Sequence, residues 1–129
     1  MIEAVRNYIR FDLPNENGEK KRDLYNRLGV EGVVNKETGE PLEAPEITIP
    51  EMYVHLWLKF FTLSDQVSRI YDGICKRIPP SEFVAWKEMS GVEISPEEYS
   101  LMAEMDEAYC VSMNEQLEER RQREMERKK

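Results

Sequence analysis

Cysteine and histidine are nearly absent from this 129-residue chain, which holds two of the first, Cys75 and Cys110, and one of the second, His55. Two thiols are too few for a disulfide framework and stand too far apart in sequence for a metal knuckle. They read as reduced thiols in a cytosolic protein. Long apolar runs are also missing. The densest, Met52 to Leu63, has 12 residues and includes His55 and Lys59, whereas a membrane-spanning helix takes about 20. The opening MIEAVRNYIRFD lacks a basic segment followed by an apolar one, so no signal peptide is expected. There is no glycine-rich phosphate loop, no Gly-x-Ser-x-Gly elbow and no His-Glu-x-x-His. His55, between Val54 and Leu56, reads as structural. Cys75 precedes Lys76 and Arg77, whose charges favour a thiolate, but no second histidine exists to act as its base. The chain is therefore not expected to be an enzyme, and no cofactor or metal is predicted.

The net charge of −8 is unevenly placed. Residues 1–35 hold six acids and six bases, residues 36–114 fifteen acids and six bases, and residues 115–129 five acids and six bases. The middle of the chain is thus strongly acidic and repels phosphate backbones, which argues against nucleic-acid binding. Leu, Ile, Val and Phe total 30 residues, about 23% and slightly above the roughly 20% below which chains tend to disorder. One domain with polar extensions is the expected organisation.

Residues 1–48 read as an N-terminal extension and connector. Ile9, Phe11 and Leu13 alternate like a short strand, while Ile2, Val5 and Ile9 fit a helical face equally well. Pro14-Asn15 and Asn17-Gly18 signal a turn. Glu19–Leu28 fits a short helix with Leu24, Tyr25 and Leu28 inward, ended by Gly29. Residues 34–50 carry three prolines and a glycine and read as irregular.

Residues 49–114 predict an all-α core. Pro50 suits the first turn of a helix, and Tyr53, Leu56, Trp57, Phe60 and Phe61 follow at helical spacing. Leu63, Val67, Ile70, Tyr71 and Ile74 extend a helical face, with Ser64 and Gly73 as points of interruption, so one helix and two both fit. Pro79-Pro80 stops that element and starts the next. The third helix, to Ser90, would turn Phe83, Val84, Trp86 and Met89 inward, with Gly91 as its left-handed terminus. Ser95-Pro96-Glu97-Glu98 is a capping box with proline at the first helical position, and Ile94 and Tyr99 have the spacing of a hydrophobic staple. Met102, Met105, Tyr109 and Met113 form a stripe behind it. No glycine or proline interrupts Glu97–Lys129, so residues 115–129 are expected to project as a charged helical tail. Trp57, Phe61, Phe83, Trp86 and Tyr99 are the expected core, with Ser95 and Glu98 as the cap.

Glu93, Glu97, Glu98, Glu104, Asp106 and Glu107 lie within fifteen residues that contain no base. Helical di-metal sites add a histidine to such carboxylates, and none is present here, so a solvated or docking face is the better reading. Methionine allows a groove to adapt to several partners. Met52, Leu56, Phe60, Met102, Met105, Tyr109 and Met113 are accordingly the candidate partner-binding residues.

Three segments carry a resemblance: IPEMYVHLWLKFFTLS at 49–64, IPPSEFVAWKEMSGVEISPEEY at 78–99 and LMAEMDEAY at 101–109. A proline-led aromatic helix, a short helix holding Ala85-Trp86, the Ser90-Gly91 break, the Ser95-Pro96 cap with Glu98, and Met105-Asp106-x-Ala108-Tyr109 recur in this order. This arrangement, over about half the chain, resembles small bacteriophage proteins described as tail assembly chaperones or minor tail proteins. The insert Asp65–Arg77 is longer and more apolar than the family's usual linker, and residues 1–45 match no part of the pattern. The resemblance implies a non-enzymatic helical protein of the host cell cytoplasm. Such a protein binds the tape-measure protein and keeps it soluble until tail-tube subunits polymerise around it, and homo-oligomers fit the role. Two other functions fit the composition: a structural minor tail or neck protein retained in the virion, and a small acidic inhibitor that imitates DNA.

Overall fold

The computed structural model describes residues 1–14 and 18–128. Helix α1 (Ile2–Asn7) runs into a π-helical turn at Tyr8–Asp12, and helix α2 spans Lys21–Val30. A single 3₁₀ turn at Glu51–Tyr53 leads into α3 (Val54–Gln66). Strands β1 (Ile70–Tyr71) and β2 (Ile74–Cys75) form an antiparallel hairpin, followed by α4 (Pro80–Ser90) and α5 (Pro96–Arg127). The all-α class expected from the periodicity holds, with one small hairpin added. Of the turn expected at Pro14–Gly18, Asn15 and Asn17 lie outside the described residues.

The start of α5 has a local cause. The Ser95 hydroxyl accepts from the Glu98 N–H at 3.1 Å, and the Glu98 carboxylate accepts from the Ser95 N–H at 3.1 Å. Two otherwise unpaired donors are satisfied reciprocally. With Pro96 at the first position and no breaker behind it, the helix runs for 32 residues, about 48 Å at 1.5 Å per residue. Ser95→Ala is expected to lower stability by about 1 kcal/mol, measured as a shift in urea midpoint at unchanged slope. An unshifted midpoint would mean that the cap contributes nothing to the helix start.

Helix α5 is the spine. Met102, Met105 and Ala108 enter the core from it, Leu56, Phe60 and Leu63 from α3, and Phe83 and Trp86 from α4. The remaining wall comes from a part of the chain read as an extension. Val5 and Ile9 are fully buried in the same cluster, and α1 packs along α5. The helical reading of Ile2, Val5 and Ile9 prevails over the strand reading because the opposite wall is helical and needs a stripe of period 3.6 to match it. The division into a 1–48 extension and a 49–114 core is thereby corrected, since residues 1–12 belong to the core.

Four further expectations are revised. The helical face drawn through Val67, Ile70, Tyr71 and Ile74 is a hairpin, turned by Asp72 and Gly73 at φ 53° and 77°. Two successive residues with positive φ make the turn that matches strand twist, and Asp-Gly is a favoured pair for it. Helix α2 starts at Lys21 and runs past Gly29 to Val30, with Leu24 partly exposed. Gly29 is required for another reason: a Cβ there would overlap the Leu42 carbonyl oxygen of the returning connector. In α4 only Phe83 and Trp86 face inward, while Val84 and Met89 are 56% and 88% exposed. A helix at the edge of a core presents one narrow stripe, so a second stripe faces water. Finally, the first turns of residues 115–129 do not project freely. Leu117 is half-buried, Arg10 pairs with Glu115 at 3.6 Å and Lys21 with Glu119 at 3.9 Å.

Of the residues expected in the core, Phe83 and Trp86 are buried, Trp57 and Phe61 are half-buried, and Tyr99 stands at the rim. Trp57 and Phe61 are covered from outside by Tyr8, whose ring meets theirs edge-on at 5.9 and 5.1 Å. Tyr99 packs edge-on against Phe83 at 5.2 Å.

Candidate functional site

Two features stand apart from ordinary helix packing. The first is a buried polar cluster between the hairpin and α5. Arg69, just before β1, is buried, and every nitrogen of its guanidinium is engaged. It donates to the Lys76 carbonyl at 2.9 Å, to the Ser64 hydroxyl at 2.6 Å, to the Asp106 carboxylate and to Cys110 Sγ at 3.3 Å. The guanidinium carbon also lies 4.5 Å from the centre of the Tyr109 ring, a cation–π contact. Asp106 accepts as well from the Ile78 N–H at 2.8 Å, with the Arg77 guanidinium 3.8 Å away. Burial pushes the Asp106 carboxyl above its ordinary range, opposed by Arg69, the Ile78 N–H and Arg77. Burial likewise pushes the Tyr109 hydroxyl up. Every buried side-chain nitrogen and oxygen among the described residues has a partner, so the polar groups of the cluster satisfy one another.

Only one member of that cluster carries a sequence signal. Asp106 interrupts the apolar stripe of α5, directly after Met105, and a carboxylate among buried positions implies a buried cation. Arg69 gives no such signal, because its place beside Asp106 depends on the hairpin.

The acidic stretch Glu93–Glu107 changes character once the fold is known. Glu98 accepts from Lys59 Nζ at 3.0 Å, with His55 Nε2 at 3.2 Å, and Asp106 is paired with Arg69. The hydrogen bond from Lys59, aided by the Ser95 N–H, holds the Glu98 carboxyl down to about 2. Cations from other elements thus neutralise two of the six acids. Among the described residues, no three His, Cys, Asp or Glu side chains converge as a metal site would need.

The candidate partner-binding residues divide. Leu56, Phe60, Met102 and Met105 are core side chains, at most 2% exposed. The groove expected between α3 and the methionine stripe is filled from both sides and closed by α1. Periodicity identifies a face that is buried, but not what buries it. Tyr109 and Met113 are half-buried against the core, and only Met52 is largely exposed.

The second feature is an open apolar cleft of about 440 Å³ between α4 and the start of α5. Pro80, Phe83, Val84, Ile94 and Tyr99 line it, and Lys87 and Ser95 stand at its edge. It arises because α4 ends at Gly91, at φ 75°, and the short segment to Ser95 returns the chain beside the helix it has just left. On α3, Val54 and Leu58 add a second exposed apolar pair one turn apart. Among the described residues no helix is long and apolar enough to cross a membrane.

Fold and site together define a small helical domain with an apolar cleft and a sealed polar anchor. No protein-family model matches the chain, and neither a curated protein nor a solved structure does.

Proposed function

We propose that this protein is a bacteriophage tail assembly chaperone, which holds the tape-measure polypeptide soluble in the host cell cytoplasm until tail-tube subunits assemble around it. The observation that carries this reading is the cleft lined by Pro80, Phe83, Val84, Ile94 and Tyr99. It is formed by residues 78–99, the segment in which the resemblance to such proteins is most detailed. An amphipathic client helix would place its apolar residues in the cleft, as helix-in-groove recognition does. The acids Glu82, Glu88, Glu93 and Glu97 nearby in sequence are exposed and keep a many-copy complex soluble. Contacts of this size are individually weak, and avidity along a long client supplies the holding strength.

The DNA-mimic reading is less well supported. A mimic needs its acids free on a continuous surface, whereas Lys59 and Arg69 neutralise Glu98 and Asp106. A minor tail or neck protein shares the helical architecture and differs in fate. Mass spectrometry of purified phage particles separates the two: a chaperone is absent from the finished particle, and a structural protein is present at constant copy number. Detection at stoichiometric level in particles would overturn the chaperone reading.

A further inference from the structure

Cys75 and Cys110 lie on different elements, yet their sulfurs are 3.6 Å apart. Both are free and both are buried. Two features hold them in register. The side-chain amide of Asn114, one helical turn beyond Cys110, accepts from the Cys75 N–H at 2.7 Å and donates to the Cys75 carbonyl at 3.3 Å. This clamp holds the open end of the short hairpin, where Cys75 pairs with Ile70, over α5. The Arg69 guanidinium then donates to Cys110 Sγ at 3.3 Å and has no contact of that kind with Cys75.

The pair is also electronically unequal. The hydrogen bond from the Cys75 thiol, reinforced by Arg69, lowers Cys110 below the ordinary thiol range, and donation to Cys110 together with burial raises Cys75. The Arg69 contact thus favours a thiolate at Cys110 over one at Cys75. A thiolate beside a guanidinium with a second thiol in contact is the arrangement of a nucleophilic and a resolving cysteine.

We propose that Cys75 and Cys110 are a modification site at which a hydroperoxide oxidises the dithiol to a disulfide that ties the hairpin to α5. The Cys110 thiolate attacks one peroxide oxygen, the O–O bond breaks, and hydroxide leaves, so Cys110 becomes a sulfenic acid. Cys75 Sγ then attacks Cys110 Sγ, and the S–O bond breaks. The departing hydroxide leaves as water with the proton from Cys75. Two thiols and one hydrogen peroxide give one disulfide and two waters, with two electrons passing from sulfur to peroxide. Hydrogen peroxide is small enough to enter as the two-residue strands open locally. A disulfide has an S–S distance of about 2.05 Å, so the sulfurs approach by about 1.5 Å. The Cys75 and Cys110 side chains and a small shift of the hairpin, the smaller partner, supply that movement.

The test treats the folded full-length protein with a small molar excess of hydrogen peroxide at neutral pH and 25 °C. Alkylation in denaturant and mass spectrometry follow. The expected product has lost two hydrogens, takes up no alkylating agent, and yields one peptide pair linked through Cys75 and Cys110. Its melting temperature rises by about 10 °C, reversibly with dithiothreitol, because the bridge closes a long loop in the unfolded chain. Cys75→Ser should stop at a sulfenic acid on Cys110 that dimedone traps, and should show no rise in melting temperature. Two alkylated thiols after treatment, or a linked pair that forms only once the protein is melted, would overturn the proposal.

Discussion

A chain lacking residues 1–13 is expected to lose cooperative unfolding altogether. Val5, Ile9 and Phe11 are buried, and Val5 and Ile9 close the core cluster that Leu56, Phe60 and Met102 would otherwise expose. Burial of each such side chain contributes about 1.5–3 kcal/mol, so the three together amount to roughly 5–9 kcal/mol. Net stabilities of single domains are about 5–15 kcal/mol, and the loss is of the same size as the whole. Tyr8 leaves at the same time and uncovers Trp57 and Phe61. Circular dichroism would retain helical signal from α5, with a broad, non-cooperative melt and strong binding of a hydrophobic dye. A sharp transition near the full-length midpoint would show that residues 49–128 form a core by themselves and that α1 is an accessory.

Asp106→Ala should be the most damaging single substitution, at about 3–5 kcal/mol, because removing one partner of a buried ion pair leaves the other charge uncompensated. Arg69 would keep its positive charge in a site closed to water, and the Ile78 N–H would lose its acceptor. Asp106→Asn keeps an acceptor of similar shape but leaves the charge unbalanced, so it should fall between alanine and wild type. The double variant Arg69→Met, Asp106→Leu should be more stable than Asp106→Ala, since both charges leave together. Urea unfolding of the four proteins provides the comparison. A cost below about 1 kcal/mol for Asp106→Ala would mean that water reaches Arg69 and that the cluster is not an anchor.

The parts of this fold that were legible in the sequence are those with local causes. The Ser95 capping box, the Gly91 terminus and the uninterrupted run after Pro96 each depend on a few neighbouring residues, and each occurs where expected. What could not be read depends on distant partners. Val5 and Ile9 look like half of an ambiguous pattern until α5 supplies their opposite wall. The hairpin is a different case, because its Asp72-Gly73 turn pair is local, while the apolar residues around it also fit helical spacing. Asp106 stands out in the apolar stripe of α5, but its partner Arg69 and the approach of Cys75 to Cys110 depend on that hairpin. The methionine stripe marks a buried face and not an open groove, whereas Val84, whose spacing predicts an inward side chain, borders the cleft.

The reading as a chaperone rests on apolar capture of a helical client at the α4–α5 cleft, and co-purification of the tape-measure polypeptide with wild type and Val84→Glu tests it most directly. Val84 is exposed, so the variant should fold, and Met125→Glu on the exposed tail serves as the control. At about 0.5 M salt the Debye length falls to about 4 Å and charge-based capture fails, while apolar contact persists. Wild type and Met125→Glu should retain the client at low and high salt, and Val84→Glu should lose most of it at both. Capture that disappears with salt and ignores the Val84 substitution would contradict the account.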